Sequence, residues 1–260
     1  MEINNFFFQQ ATIISLDTVD STNNYAMMCL QSPNLLPEGT TIVAKNQTAG
    51  RGQRGNEWQT TAGQNLTCST ILYPHKLLAN EQFMLSQAMA LAMYDFAKTI
   101  LPNENVLIKW PNDLYVGQQK LGGMLIENVL QQQYLKTSIV GMGINVNQTA
   151  FAANIKNPTS LKNISKQDFD IDSLLKQLIW HISVQYFQVM TDKMAAIRQR
   201  YLSCLLGYEQ WQRYYLPLEQ QEVWGMITAV QNDGRLCLST QYNGNRILGI
   251  KEVQWLPTEI

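Results

Sequence analysis

The chain has 260 residues, enough for one large domain, or for a domain of roughly 200 residues carrying a small appendix. Hydrophobic residues make up 45% and charged residues only 15%, below the roughly 25% usual for globular proteins, so a disordered chain is excluded and a well-buried core is expected. A net charge of −1 provides no general field for nucleic acid or anionic lipid, so any polyanion must be met by a local site.

Taken in chain order, residues 12–18 read as a strand, and Asp20-Ser21-Thr22-Asn23 places capping residues ahead of a helix through Tyr25 and Leu30. Residues 40–44 and 65–73 are β-rich, so the glycine segment between them joins two strands and opens no helix. Residues 81–98 keep a helical period that is apolar nearly all round, which predicts a helix buried against a sheet, its methionines filling the core. Strands are expected at 106–108, 114–116 and 121–129, with Gly117-Gln118-Gln119 as a hairpin turn, and again at 138–145. In this last strand Gly141 and Gly143 leave space on one face. The helical period returns from Ile171 to Val189 and continues in a second helix through Ile197, Tyr201 and Leu205; His181 stands alone there and reads as structural. From about Pro217 the texture changes to β runs at 223–230, 235–240 and 246–253, separated by the turn signals Asn232-Asp233-Gly234 and Asn243-Gly244. The expected organisation is α+β: a mixed sheet with helices over 1–212, then a small β unit over 213–260.

Cys29, Cys68, Cys204 and Cys237 form no closely spaced pair, and with His75 and His181 they lack the spacing of a zinc site, so they read as reduced, packing cysteines. The N-terminus has neither a basic region nor a long apolar stretch, and no run approaches the roughly 18 apolar residues of a membrane span. A cytoplasmic protein is expected, with no membrane or nucleic-acid partner.

Two segments carry the chemistry. Gly50-Arg51-Gly52-Gln53-Arg54-Gly55 combines glycines, which let backbone N–H groups approach a ligand, with guanidiniums suited to bidentate phosphate contact. It matches neither the P-loop nor the dinucleotide fingerprint. Lys109-Trp110-Pro111-Asn112-Asp113, followed by Lys120-Leu121-Gly122-Gly123, adds ammoniums and a carboxylate. Brought to one cleft, these groups could hold a polyphosphate and its Mg²⁺, as nucleotidyl transfer requires.

These segments, with Asp20 to Asn23 before them and Gly141 to Asn145 after, occur in the order found in biotin protein ligases, and the chain resembles that family over essentially its whole length. The resemblance implies a catalytic domain like those of class II aminoacyl-tRNA synthetases, followed by an SH3-like β-barrel. It also implies a ligase-only type, without the DNA-binding domain that some members carry, acting as monomer or homodimer. The implied reaction activates biotin with ATP to biotinyl-5′-AMP and pyrophosphate, then transfers biotin to a lysine of a biotin carboxyl carrier domain, such as that of acetyl-CoA carboxylase. ATP and Mg²⁺ are the implied co-substrate and activator, with no prosthetic group.

By match to the family, Lys120 and Arg51 are the catalytic candidates. Ser21, Thr22, Gln47, Gly50, Arg51, Lys120, Gly123 and Gly141 are assigned to biotin. Arg51, Arg54, Trp58, Asn112, Lys120 and Asn145 are assigned to ATP and the adenylate, and Asp113 is the candidate Mg²⁺ ligand. Ser21 and Thr22 serve equally well as a plain helix cap, and Trp58 as a core aromatic. Gln53 departs from the pattern, standing where several members carry an arginine, which implies looser retention of the adenylate. A lipoate ligase, and a non-catalytic sensor of biotin, are the rival readings.

Overall fold

The computed structural model describes residues 8, 10–242 and 244–257, and of Arg54 the backbone alone. The N-terminal segment read above and Asn243 of the last expected turn therefore lie outside the described residues.

Two sheets organise the chain. Strand β1 (Ile13–Val19) runs parallel to β2 (Thr41–Gln47), and the crossover between them carries helix α1 (Thr22–Cys29). β3 (Asn65–Leu72) is buried throughout, as its apolar and small hydroxyl residues allow. It is followed by α2 (Gln82–Ile100), then β4 (Val106–Lys109), β5 (Asp113–Val116), β6 (Gln119–Gln131) and β7 (Tyr134–Asn145). These strands form one seven-stranded sheet in the order β1-β2-β3-β7-β6-β5-β4, antiparallel everywhere except β1–β2.

Helices α3 (Leu161–Ser165), α4 (Ile171–Met190) and α5 (Met194–Ser203) follow. Helix α2 is apolar on most of its circumference because it lies between the sheet and α4 and α5, and Leu85, Met89, Leu91, Met93 and Phe96 are fully or almost fully buried. Asp170 caps α4 by accepting a hydrogen bond from the Ser173 N–H at 3.3 Å.

The second sheet is antiparallel and five-stranded, in the order β11-β10-β9-β8-β12. Its members are β8 (Trp211–Leu216), β9 (Gln221–Val230), β10 (Leu236–Thr240), β11 (Gly244–Leu248) and β12 (Gln254–Leu256). Strand β8 spans the boundary expected between residues 212 and 213 and ends just before the texture change at Pro217; its aromatic run Trp211-Gln212-Arg213-Tyr214-Tyr215 gave no turn signal. The strand expected at 246–253 ends at Leu248 as β11, and a separate strand, β12, begins only at Gln254. Between them the chain turns back, with the Gly249 N–H donating to the Glu252 carboxylate at 2.7 Å and the Glu252 N–H to the Gly249 carbonyl at 2.9 Å.

His181 is buried in α4, edge-on to Phe96 at 6.4 Å and to Trp180 at 4.7 Å, with Asp95 and Arg200 as nearby charges. Burial pulls its pKa below the ordinary 6.5, the Asp95 carboxylate opposing and the Arg200 guanidinium adding to the shift. The unfolded chain thus binds the extra proton first as pH falls, and the native state loses stability below pH ~6.5 while gaining nothing above it. Urea midpoints measured at about pH 7.5 and 5.5 should show this loss, and His181→Leu should shrink the difference between the two pH values; an unaltered difference would count against the assignment.

Candidate functional site

A cleft of about 1010 Å³ opens where the central strands of the large sheet meet the glycine segment, the β5–β6 hairpin and the C-terminal sheet. One end is small and polar. Ser21 occupies the N-cap position of α1 yet makes no side-chain capping bond, so its buried hydroxyl faces the cleft. Gln47, the last residue of β2, accepts from the Thr22 N–H at 2.8 Å and from the Thr22 hydroxyl at 3.1 Å. That fixes the amide and leaves its Nε2 donors toward Gly50, whose side a Cβ would crowd at 3.2 Å. Gly50 itself does not line the cleft. It sits behind the wall, where its carbonyl accepts from the Trp58 N–H at 2.9 Å and an added Cβ would meet the Trp58 carbonyl at 2.3 Å.

The floor is made of β6 and β7, where glycines clear the surface for neighbouring side chains. At Gly141 an added Cβ would stand 2.2 Å from Asn23 Oδ1, so the gap in β7 admits the α1 asparagine. At Gly143 it would stand 2.3 Å from the Trp58 indole, which lies flat on the strand. The Trp58 Nε1 is buried without a hydrogen-bond partner among the described residues, a donor that costs free energy until something accepts from it. Gly123 gives room in the same way to Asp113 and Lys120. Cys68 lies at the cleft as well, its thiol pushed up to about 12 by burial and hence fully protonated.

The other end is cationic. Lys120 stands just past the β5–β6 turn and pairs with Asp113 at 2.7 Å, with its ammonium 5.9 Å from the centre of the Trp58 ring. Its backbone is held by the strap after β7: the Lys120 N–H donates to the Asn157 carbonyl at 2.7 Å, and its carbonyl accepts from the Thr159 N–H at 2.9 Å. Lys109 is 3.4 Å from the Tyr115 hydroxyl and lies over the rings of Tyr115 and Trp255, at 5.2 and 5.9 Å from their centres. Burial lowers its pKa; the Asp113 carboxylate resists, while Lys120 and Lys156 add to the fall. Lys156 and Lys251 also border the cleft, and Arg51 stands at its mouth. Asn112 and Asn145 line the cleft but spend their amides on the frame, donating to the Met124 carbonyl and, at 2.9 Å, to the Thr159 carbonyl. The Arg54 side chain is outside the described residues.

Sequence reasoning thus named the residues of both ends but missed Asn23's inward turn, Tyr115, Lys156 and Trp255. Trp255 carried no signal, since nothing local tells that a residue near the C-terminus returns to a cleft built by β4 and β5.

The family model described as Biotin/lipoate A/B protein ligase family matches residues 16–145, half of the chain. The chain belongs to that family. Among relatives, the Bifunctional ligase/repressor BirA of Bacillus spizizenii is 30% identical over 233 residues, covering 88% of this chain and 70% of the relative. The Biotin--[acetyl-CoA-carboxylase] ligase of Mycobacterium tuberculosis is 28% identical over 204 residues, covering 77% and 73%. Among solved structures, the biotin protein ligase of Aquifex aeolicus in complex with biotin and ATP superposes with a TM-score of 0.76 at 25% identity, over 95% of this chain and 99% of that one. The family match extends from β1 through β7, and so includes the glycine segment, the β5–β6 hairpin and the β7 glycines.

The contact between Gly143 and Trp58 generates a test. Gly143→Ala should drive the indole off β7, giving a near-UV circular dichroism difference from wild type that is absent when both proteins carry Trp58→Phe; identical spectra for Gly143→Ala and wild type would contradict the packing.

Proposed function

We infer that this chain is an ATP-dependent biotin protein ligase, and the observation that carries the reading is the composition of the cleft. One end offers hydroxyls and an amide suited to a neutral ureido ring; the other gathers Lys109, Lys120, Lys156 and Arg51, with Asp113 and Glu57 as the carboxylates among the cleft's lining residues. A binder of a neutral ring alone has no use for the second end, which disfavours a sensor.

In the first step a carboxylate oxygen of biotin attacks the α-phosphorus of ATP. The new bond joins that oxygen to phosphorus, the bond to the β-phosphate bridging oxygen breaks, and pyrophosphate leaves. Both reactants are anionic, so the site must neutralise and align them. Lys120, released from Asp113, bridges the carboxylate and the α-phosphate; Arg51 and Arg54 grip phosphates, and Lys109 and Lys156 take the outgoing pyrophosphate. Ser21, Thr22, Gln47, Gly123 and Gly141 frame biotin, and Trp58, Asn112 and Asn145 frame the adenylate. In the second step the amine of an acceptor lysine attacks the acyl carbon, AMP departs, and the amine proton is lost to give the amide.

No group of three or more acidic, histidine or cysteine residues spaced for a metal occurs among the described residues. A nucleotide-bound Mg²⁺ needs only one or two protein carboxylates, and Asp113, beside Lys120 in the cleft, would be the residue to hold it. When bound, Mg²⁺ would offset phosphate charge. The acceptor is a biotin carboxyl carrier domain of a carboxylase, the location is the cytoplasm, and the catalytic unit over 1–212 works with the β unit that follows it.

Pyrophosphate release from ATP should require biotin and not occur with lipoate, and Lys120→Ala should slow it by about 10²-fold or more. Release with lipoate alone would instead favour the lipoate branch of the family. Gln53 borders the cleft without a charge, so Gln53→Arg should slow the escape of biotinyl-AMP in the absence of acceptor; an unchanged off-rate would remove Gln53 from the account.

A further inference from the structure

Arg51 does not stand free at the mouth of the cleft. Its Nη2 donates to Glu127 Oε1 at 2.8 Å, while Nη1 donates to Glu127 Oε2 at 3.2 Å and to Asn24 Oδ1 at 2.7 Å. The carboxylate that receives it is fixed in turn. Asn23 Nδ2 donates to Glu127 Oε2 at 2.8 Å, and Asn23 Oδ1 accepts from the Ser69 hydroxyl at 2.6 Å. Asn23 and Ser69 are both buried, and Asn23 reaches this position only because β7 has a glycine at 141. A continuous polar chain therefore runs from β3 through α1 and β6 to Arg51.

An exposed ion pair with two free side chains contributes little. This one differs in geometry, since the fork is bidentate, a third acceptor holds the same guanidinium, and the acceptor carboxylate is itself braced from the protein interior. The backbone of Arg51 is tied as well: it bridges Glu57, and Gly52 N–H donates to the Asn56 carbonyl at 2.7 Å. Fixing the Arg51 side chain therefore fixes the start of the glycine segment against the sheet. Glu127 lies outside the cleft lining and its carboxylate faces Arg51 and Asn23, so it acts through Arg51 and touches no substrate.

We propose that Glu127 is a positioning residue for adenylation: braced by Asn23, it orients Arg51 and seats the glycine segment over the reacting groups. This rests on the biotin ligase reading above. The role requires that removing Glu127 matter only while Arg51 is present.

The test compares wild type, Glu127→Ala, Glu127→Gln, Arg51→Ala and the Arg51→Ala/Glu127→Ala double variant. It reads biotin-dependent pyrophosphate release, with kcat and KM separated for biotin and ATP, and the loss of biotinyl-AMP without acceptor. Glu127→Ala should lower kcat/KM roughly tenfold to a hundredfold, as expected for a misplaced catalytic group, and should hasten adenylate loss. Glu127→Gln, which keeps the shape and one acceptor, should fall between it and wild type. In the Arg51→Ala background the Glu127 substitution should cost less than about twofold further. Penalties that multiply in the double variant, or a Glu127→Ala enzyme within twofold of wild type, overturn the proposal. Wild-type protein that releases no pyrophosphate with biotin overturns the ligase reading and the proposal with it.

Discussion

The constraint on which the rest of the site depends is the cost of holding several cations in one partly dry cleft. Burial depresses the Lys109 ammonium most; the Asp113 carboxylate resists, and the neighbouring Lys120 and Lys156 add to the fall. Such an arrangement persists only because rigid elements enforce it. Lys120 is clamped through its backbone by the strap at 157–159, and Lys109 is laid along Tyr115 and Trp255. The frame thus holds ready a positive field that an incoming polyanion relieves, which is the sense in which the protein is preorganised for charge that arrives with the substrate.

The glycines of β6 and β7 are the counterpart of that field. A sheet normally covers its face with side chains, and here three positions are cleared so that groups from elsewhere can lie on the strands: Trp58 over Gly143, Asn23 over Gly141, and the Asp113–Lys120 pair over Gly123. The floor is consequently made by residues that the sheet does not itself carry. The glycine segment, α1 and the β5–β6 hairpin are thereby referenced to one rigid surface, so their relative placement does not depend on loop conformation alone.

Much of this was legible in the chain. The alternation and glycine spacing of residues 138–145 marked both a strand and a gap on its face, and the apolar circumference of residues 81–98 marked a helix enclosed on several sides, because periodicity and small side chains are local signals. The long-range part was not local. Glu127 lies in the second half of β6, beyond the Lys120–Gly123 motif, Trp255 belongs to a terminal strand that pairs with β8, and no local signal marked either as part of the site. The end of β11 at Leu248, short of the expected 253, was equally hidden, since the turn that follows is made by a glutamate side chain accepting from a glycine N–H, which composition does not announce.

The hairpin tip at Gly234 has a wider consequence. Its carbonyl accepts from the Trp110 indole at 3.0 Å, and an added Cβ there would stand 2.5 Å from the Phe83 ring at the start of α2. A turn in the small sheet thus holds a tryptophan of the large one, next to Pro111, whose carbonyl is gripped by Tyr201 of α5. The C-terminal sheet behaves less like a passenger than like a keystone: lifting it away would unseat Trp110 and uncover Phe83 together, so this one turn couples the packing of the small sheet to that of the large one.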